Sequence, residues 1–181
     1  GAVDLDLGRV SEAVAVTRRA IAIREARFGA DHPVLLNSLG NLAEALALRG
    51  EPAEADRVWS RAVDLARAKL AAGHPLLLRA LQQRGLALAR SGRCDRALPL
   101  LEEARGLYAT TAPDDADASI TLHELGRCAL SQGHPAAARA AYEEALRLRE
   151  RLLDPEAPAL YDSVLGLARV AHPGARWSDP P

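Results

Sequence analysis

Glycine recurs in this chain at a nearly fixed interval. Gly8, Gly50, Gly92 and Gly133 are spaced by 42, 42 and 41 residues. The same residue types follow each in register. Five positions on stands an alanine (Ala13, Ala55, Ala97, Ala138), and twelve on stands another (Ala20, Ala62, Ala104, Ala145). Between them lie Thr17, Trp59, Leu101 and Tyr142. Seven positions before the last three glycines the residue is small (Ala43, Gly85, Gly126), and eleven before it is leucine (Leu39, Leu81, Leu122). A period of this length restricts the fold to repeated supersecondary units. Each is too small to hide its own apolar face and so stacks on the next.

Each period reads as two helices. Ala, Leu, Arg and Glu, all strong helix formers, dominate the runs between breaks. Gly closes a helix as a left-handed C-cap, and Pro opens the next because its missing N–H would be unpaired anyway. Pro33, Pro52, Pro75, Pro135, Pro155 and Pro158 fall at such starts, and Asp31, Asp114, Asp115 and Asp154 stand where a capping carboxylate helps. The pattern predicts eight helices, at 9–28, 33–49, 52–71, 75–91, 94–111, 116–132, 135–153 and 156–171. With aromatics at 3%, aliphatic side chains must fill the core, and alanine permits close helix approach. The expected layout is one solenoid over 1–171. It has a half repeat at 8–28, full repeats at about 33–71, 75–111 and 116–153, a half repeat at 156–171 and a tail at 172–181. Half repeats at both ends leave apolar faces open, so a fragment of a longer protein is expected.

Three places depart from the pattern. Pro99 falls early in a helix, where it removes about one backbone hydrogen bond. The join Thr110 to Asp117 lacks the His-Pro dipeptide of the two joins before it and carries three aspartates. Arg84 stands where Leu42 and Leu125 stand elsewhere, so either its stem packs and its head reaches water, or it faces a ligand.

Several function classes find no support. A net charge of -1 gives no argument for nucleic acid. There is no long apolar run for a membrane span, and the N-terminus lacks the basic and apolar regions of a signal peptide; because it starts in mid-pattern, it leaves room for a targeting segment upstream in a longer parent. Phosphate loops, GxSxG and HExxH are absent. His32 and His74 recur at the period as turn residues, not as metal ligands. Cys94 and Cys128 read as two reduced thiols of a cytoplasmic protein. No enzyme activity, metal or cofactor is expected.

The register resembles the tetratricopeptide repeat, in a long form similar to the repeats of kinesin light chain and of bacterial signalling proteins. Phe28-Gly29-Ala30-Asp31-His32-Pro33 and Leu36-Asn37-Ser38-Leu39-Gly40-Asn41-Leu42-Ala43 carry the likeness. The resemblance implies an all-α, right-handed superhelical solenoid of antiparallel helix pairs. It also implies a concave surface, lined by the first helix of each pair, that binds a peptide or protein segment. Carried onto this sequence, the groove residues are Asn37, Asn41 and Glu44; then Arg79, Gln82, Gln83, Leu86 and the exceptional Arg84; then Ile120, His123, Glu124 and Arg127. At Asn41 the family often uses an asparagine that holds a peptide's backbone amide. Gln83 and Glu124 depart from that residue. The implied role is a protein interaction scaffold within a larger signalling or regulatory protein, with no nucleic-acid or membrane partner. The alternative is self-association or intramolecular stacking through the open helical ends.

Overall fold

A computed structural model describes the backbone over residues 2–172 and the side chains over 8–172. Within those bounds the regular structure is helical: α1 (Ala2–Phe28), a 3-10 turn (Pro33–Leu35), α2 (Leu36–Leu48), α3 (Pro52–Lys69), α4 (Pro75–Arg90), α5 (Cys94–Thr111), α6 (Ala116–Ser131), α7 (Pro135–Leu152) and α8 (Pro158–Ala171). None of these helices is long and apolar enough to cross a membrane. The chain divides into two compact units, residues 1–91 and 92–181. In the first, α2 packs on α1 and α3, and α3 packs on α4. In the second, α6 packs on α5 and α7, and α7 packs on α8. Past His172, the expected tail lies outside the described residues.

The joins obey the chemistry read from the sequence. Gly50, Gly92 and Gly133 have φ of 84°, 76° and 76°, a left-handed conformation that side chains with a Cβ resist. Prolines occupy the first turns of α3, α4, α7 and α8 and of the 3-10 turn. The repeated histidines act as caps. Nδ1 of His32 accepts from the Val34 amide at 3.1 Å, and Nδ1 of His74 accepts from the Leu76 amide at 3.1 Å. Where His-Pro is missing, Asp115 caps α6 by accepting from the Asp117 amide at 2.9 Å. A carboxylate or imidazole acceptor satisfies the same orphan N–H, so either residue can stand there.

Several expectations are corrected. α1 runs unbroken through Gly8, which carries no positive φ. Neither a proline nor a capping bond follows Gly8 to start a new helix, and one interior glycine costs only about 1 kcal/mol. Asp31 yields the cap to His32, and α8 begins at Pro158 without a side-chain cap, so Asp154 caps nothing. Pro155 precedes that helix instead of opening it. Pro99 lies two residues deeper than an Asp95 cap would place it, because α5 already starts at Cys94. The helix nonetheless continues past it.

The largest correction concerns the thiols. Cys94 and Cys128 form a disulfide with Cα atoms 5.2 Å apart, joining the start of α5 to α6. Neither is a reduced thiol, and the premise for a reducing compartment goes with them. Sequence separation hid this, because stacked repeats bring together residues most of a period apart. Arg93 gives α5 no capping hydrogen bond, so the bond tethers a helix start that the sequence leaves weak.

The core follows the alanine columns. Ala55, Ala62, Ala97, Ala104, Ala138 and Ala145 are all buried, as are Trp59, Leu101 and Tyr142. Tyr142 shows why small residues are required. A Cβ at Gly126 would lie 2.8 Å from its ring, and one at Gly166 would lie 2.6 Å away. Both distances are far inside van der Waals contact. Gly126→Ala and Gly166→Ala are each expected to lower unfolding stability by about 1–3 kcal/mol in urea titration. Gly106→Ala, on an open surface of α5, should instead raise stability by about 1 kcal/mol. Reducing the disulfide closes no new contact but frees the unfolded chain. Dithiothreitol should therefore lower stability by about 3–4 kcal/mol, and the unreduced, unfolded chain should show no free thiol on titration.

Candidate ligand groove

The first helices of successive pairs are neighbours within each unit: α2 beside α4, and α6 beside α8. In the first unit α2 buries Leu36, Leu39, Ala43 and Leu46 on one face, which turns Asn37, Asn41 and Glu44 outward as one exposed row. Arg79 is exposed on α4, and its guanidinium reaches Glu44 at 3.9 Å, a loose pair with both side chains about half exposed. Between the two helices lies a cleft lined by Leu36, Asn37, Gly40, Leu76, Arg79 and Ala80, with Trp59 of α3 beneath. Gly40 sets its depth, since a Cβ there would stand 3.3 Å from the indole.

Other sequence-derived groove residues of this unit do not face outward. Gln82 and Leu86 are buried, and Gln83 is half-buried. Arg84 turns towards α3, where its Nε donates to Oδ1 of Asp56 at 3.1 Å, and the two side chains are 14% and 12% exposed. The guanidinium is thus engaged within the fold, in place of the leucine found at that position in the other repeats.

In the second unit Ile120 is exposed, and His123, Glu124 and Arg127 line α6 half-buried. Arg127 holds Oε2 of Glu124 through Nε at 2.8 Å and Nη2 at 2.6 Å, so the two charges largely answer each other. His123 stands edge-on to Tyr142, ring centroids 5.2 Å apart, and its Nδ1 is buried with no partner. Burial pushes the imidazole below its ordinary pKa of 6.5; Arg149 and Arg127 act the same way, while Glu124 and Asp162 oppose them.

Beneath this surface is a cation that the sequence reading missed. Arg149 of α7 is buried, donating through Nε to Ser119 Oγ at 3.3 Å and through Nη1 to Ser163 Oγ at 2.7 Å and Ala159 O at 2.6 Å. Burial lowers its pKa. Arg24 of α1 bonds Ser38 of α2 in the same manner. The signal was present: Arg24 and Arg149 each stand four residues after the second alanine of their repeat, where Ala66 and Tyr108 stand elsewhere. Both arginines tie a second helix to the first helix that follows.

Among the described residues no three His, Cys, Asp or Glu side chains converge as a metal site. What the groove offers is a mixed polar row beside an aromatic floor in one unit, and a paired charge with a neutral-leaning imidazole in the other.

The His123 shift has a pH consequence. The unfolded chain takes up a proton near 6.5 and the folded chain only at lower pH. His123 therefore adds stability above that value and loses it as pH falls through the folded pKa. The urea midpoint of the wild type should drop between pH 7 and 5 more steeply than that of His123→Gln; parallel curves would show that the ring is not held neutral.

Family models for the tetratricopeptide repeat match residues 1–58, 41–110 and 119–152. Among solved structures, a Podosopora anserina putative kinesin light chain with nearly identical TPR-like repeats is 26% identical, with a TM-score of 0.79 over 91% of this chain and 79% of that one. BtubC (BKLC) from P. vanneervenii is 15% identical, with a TM-score of 0.69 over 94% of this chain and 83% of that one. MamA from Desulfovibrio magneticus RS-1 is 16% identical, with a TM-score of 0.51 over 88% of this chain and 94% of that one. The last two share the fold. No curated protein sequence matched.

Proposed function

Because this chain belongs to the tetratricopeptide repeat family, whose fold serves protein–protein interaction, we propose that it binds an extended peptide or protein segment in the groove of α2 and α4, as one module of a signalling or regulatory protein. The observation that carries this reading is the exposed row Asn37, Asn41 and Glu44 beside the cleft over Trp59. A carboxamide offers one acceptor group and two donors, which match the C=O and N–H of an extended backbone. Asn37 and Asn41 are four residues apart on a helix, so they present two such groups on one face. The cleft accepts a small apolar side chain against the indole. The Glu44–Arg79 pair is exposed and long, so it contributes little and can be exchanged. Arg79 then pairs with a carboxylate of the ligand.

The second unit contributes less in this reading, because Arg127 and Glu124 already satisfy each other. Gln82 and Arg84 act as structural residues, not as ligand contacts. The groove binds and orients; no reaction is assigned to it.

A peptide library screened against the whole chain, followed by calorimetry on the best binders, tests the proposal. Asn41→Ala should weaken binding about tenfold, equivalent to about 1.4 kcal/mol, with helicity unchanged. Arg79→Ala should weaken acidic peptides selectively. Equal affinities for wild type and both variants would place binding elsewhere on the molecule.

A further inference from the structure

Two helices carry apolar stripes that their counterparts bury. On α8, Tyr161 is 66% and Val164 is 52% exposed, and Ala168 and Ala171 continue the same face. The equivalent residues of α2 are Leu36, Leu39, Ala43 and Leu46, all buried. The equivalence is spatial as well as sequential. The shift of 125 residues that carries Leu36 to Tyr161 also carries Arg24 to Arg149 and Ser38 to Ser163, and both Arg–Ser pairs are bonded. On α1, Val16 is 61% and Ile23 is 59% exposed, with Ala13 exposed one turn before them and Ala20 half-buried between them. Their counterparts on α7 are Ala138, Ala141, Ala145 and Leu148, all buried.

We propose that α8 of one copy of this chain pairs with α1 of a second copy, head to tail, making between two molecules the helix pair that α2 and α3, or α6 and α7, make within one. Among the described residues α8 is a first helix without a second, and α1 is a second helix without a first. Both stripes run i, i+3, i+7, i+10, so they match in length and pitch. Small residues recur where close approach needs them: Ala168 stands at the place of Ala43, and Ala13 and Ala20 at the places of Ala138 and Ala145.

Charge at the same register is divided. Between successive second helices of the first unit, Arg61 of α3 meets Glu25 of α1 at 2.5 Å. Continuing that register brings Arg19 of the incoming α1 beside Glu150 of α7, both exposed. The other pair between those helices, Arg18 with Glu54, finds Glu143 and Glu12 at its places, two like charges that offset the first pair. The apolar stripes, with their small residues, therefore drive association and set its register.

The test uses the whole chain and two charge-blocked variants, Val16→Glu and Val164→Glu, in sedimentation velocity from micromolar to near-millimolar concentration. Both positions are exposed, so helicity should be retained; Ile23→Lys and Tyr161→Glu serve as second variants. The wild type should gain mass with concentration. Each variant alone should stay monomeric. Mixed, they should form a one-to-one heterodimer, because one retains a free α8 and the other a free α1. A wild type that stays monomeric throughout would overturn the proposal, with the stripes covered inside one chain or by further helices. Association that persists in either single variant would also overturn it, in favour of α1 on α1 or α8 on α8. Asn41 and Arg79 are untouched, so loss of this contact is separable from loss of groove binding.

Discussion

Helices in this protein approach one another only as closely as the residue at the crossing allows. Tyr142 makes the rule visible: its ring lies against Gly126 of one neighbouring helix and Gly166 of the other, with no room for a methyl group at either. The alanine columns of α3, α5 and α7 follow the same rule. One large side chain fills each gap, and small residues let the backbones close over it. With so few aromatic residues, each ring has a large share of the packing to do. Every other feature depends on that spacing, including the cleft above Trp59, which exists because Gly40 leaves it open.

The repeats solve the same local problems with different residues. A helix start needs an acceptor for an unpaired N–H, and His32, His74 and Asp115 each supply one. Where α5 lacks such an acceptor, a disulfide tethers its first residue to α6. A second helix must be tied to the first helix that follows it. Arg24 and Arg149 do so with guanidinium bonds to serine, while Ala66 and Tyr108 occupy the equivalent buried positions. Arg149 is a buried cation without a bonded carboxylate, so its three oxygen partners must offset the loss of water.

The candidate groove shows how packing edits a list of residues. Position along a first helix implied a row of polar groups in every repeat. Asn37, Asn41, Glu44 and Arg79 stand in the open in the first unit, but Gln82 is buried and Arg84 is drawn back to Asp56. In the second unit Glu124 and Arg127 consume each other's charge. The polarity of a residue says that it must be satisfied. It does not say whether the partner is a ligand, a neighbour or water.

The sequence by itself determined the repeat, its helical content, most joins and the small-large-small rhythm of the core. These follow from short-range rules: glycine tolerates a positive φ, proline opens a helix, and apolar side chains recur with the helical turn. The tertiary structure alone decided the rest. It showed that Gly8 lies inside a helix, because a break needs a start signal as well as a stop. It joined Cys94 to Cys128, because stacking brings distant residues to bonding distance. It turned Arg84 inward and buried Arg149, and it left the stripes of α1 and α8 exposed. Each of these outcomes depends on which helix lies opposite, and no local pattern of residues encodes that.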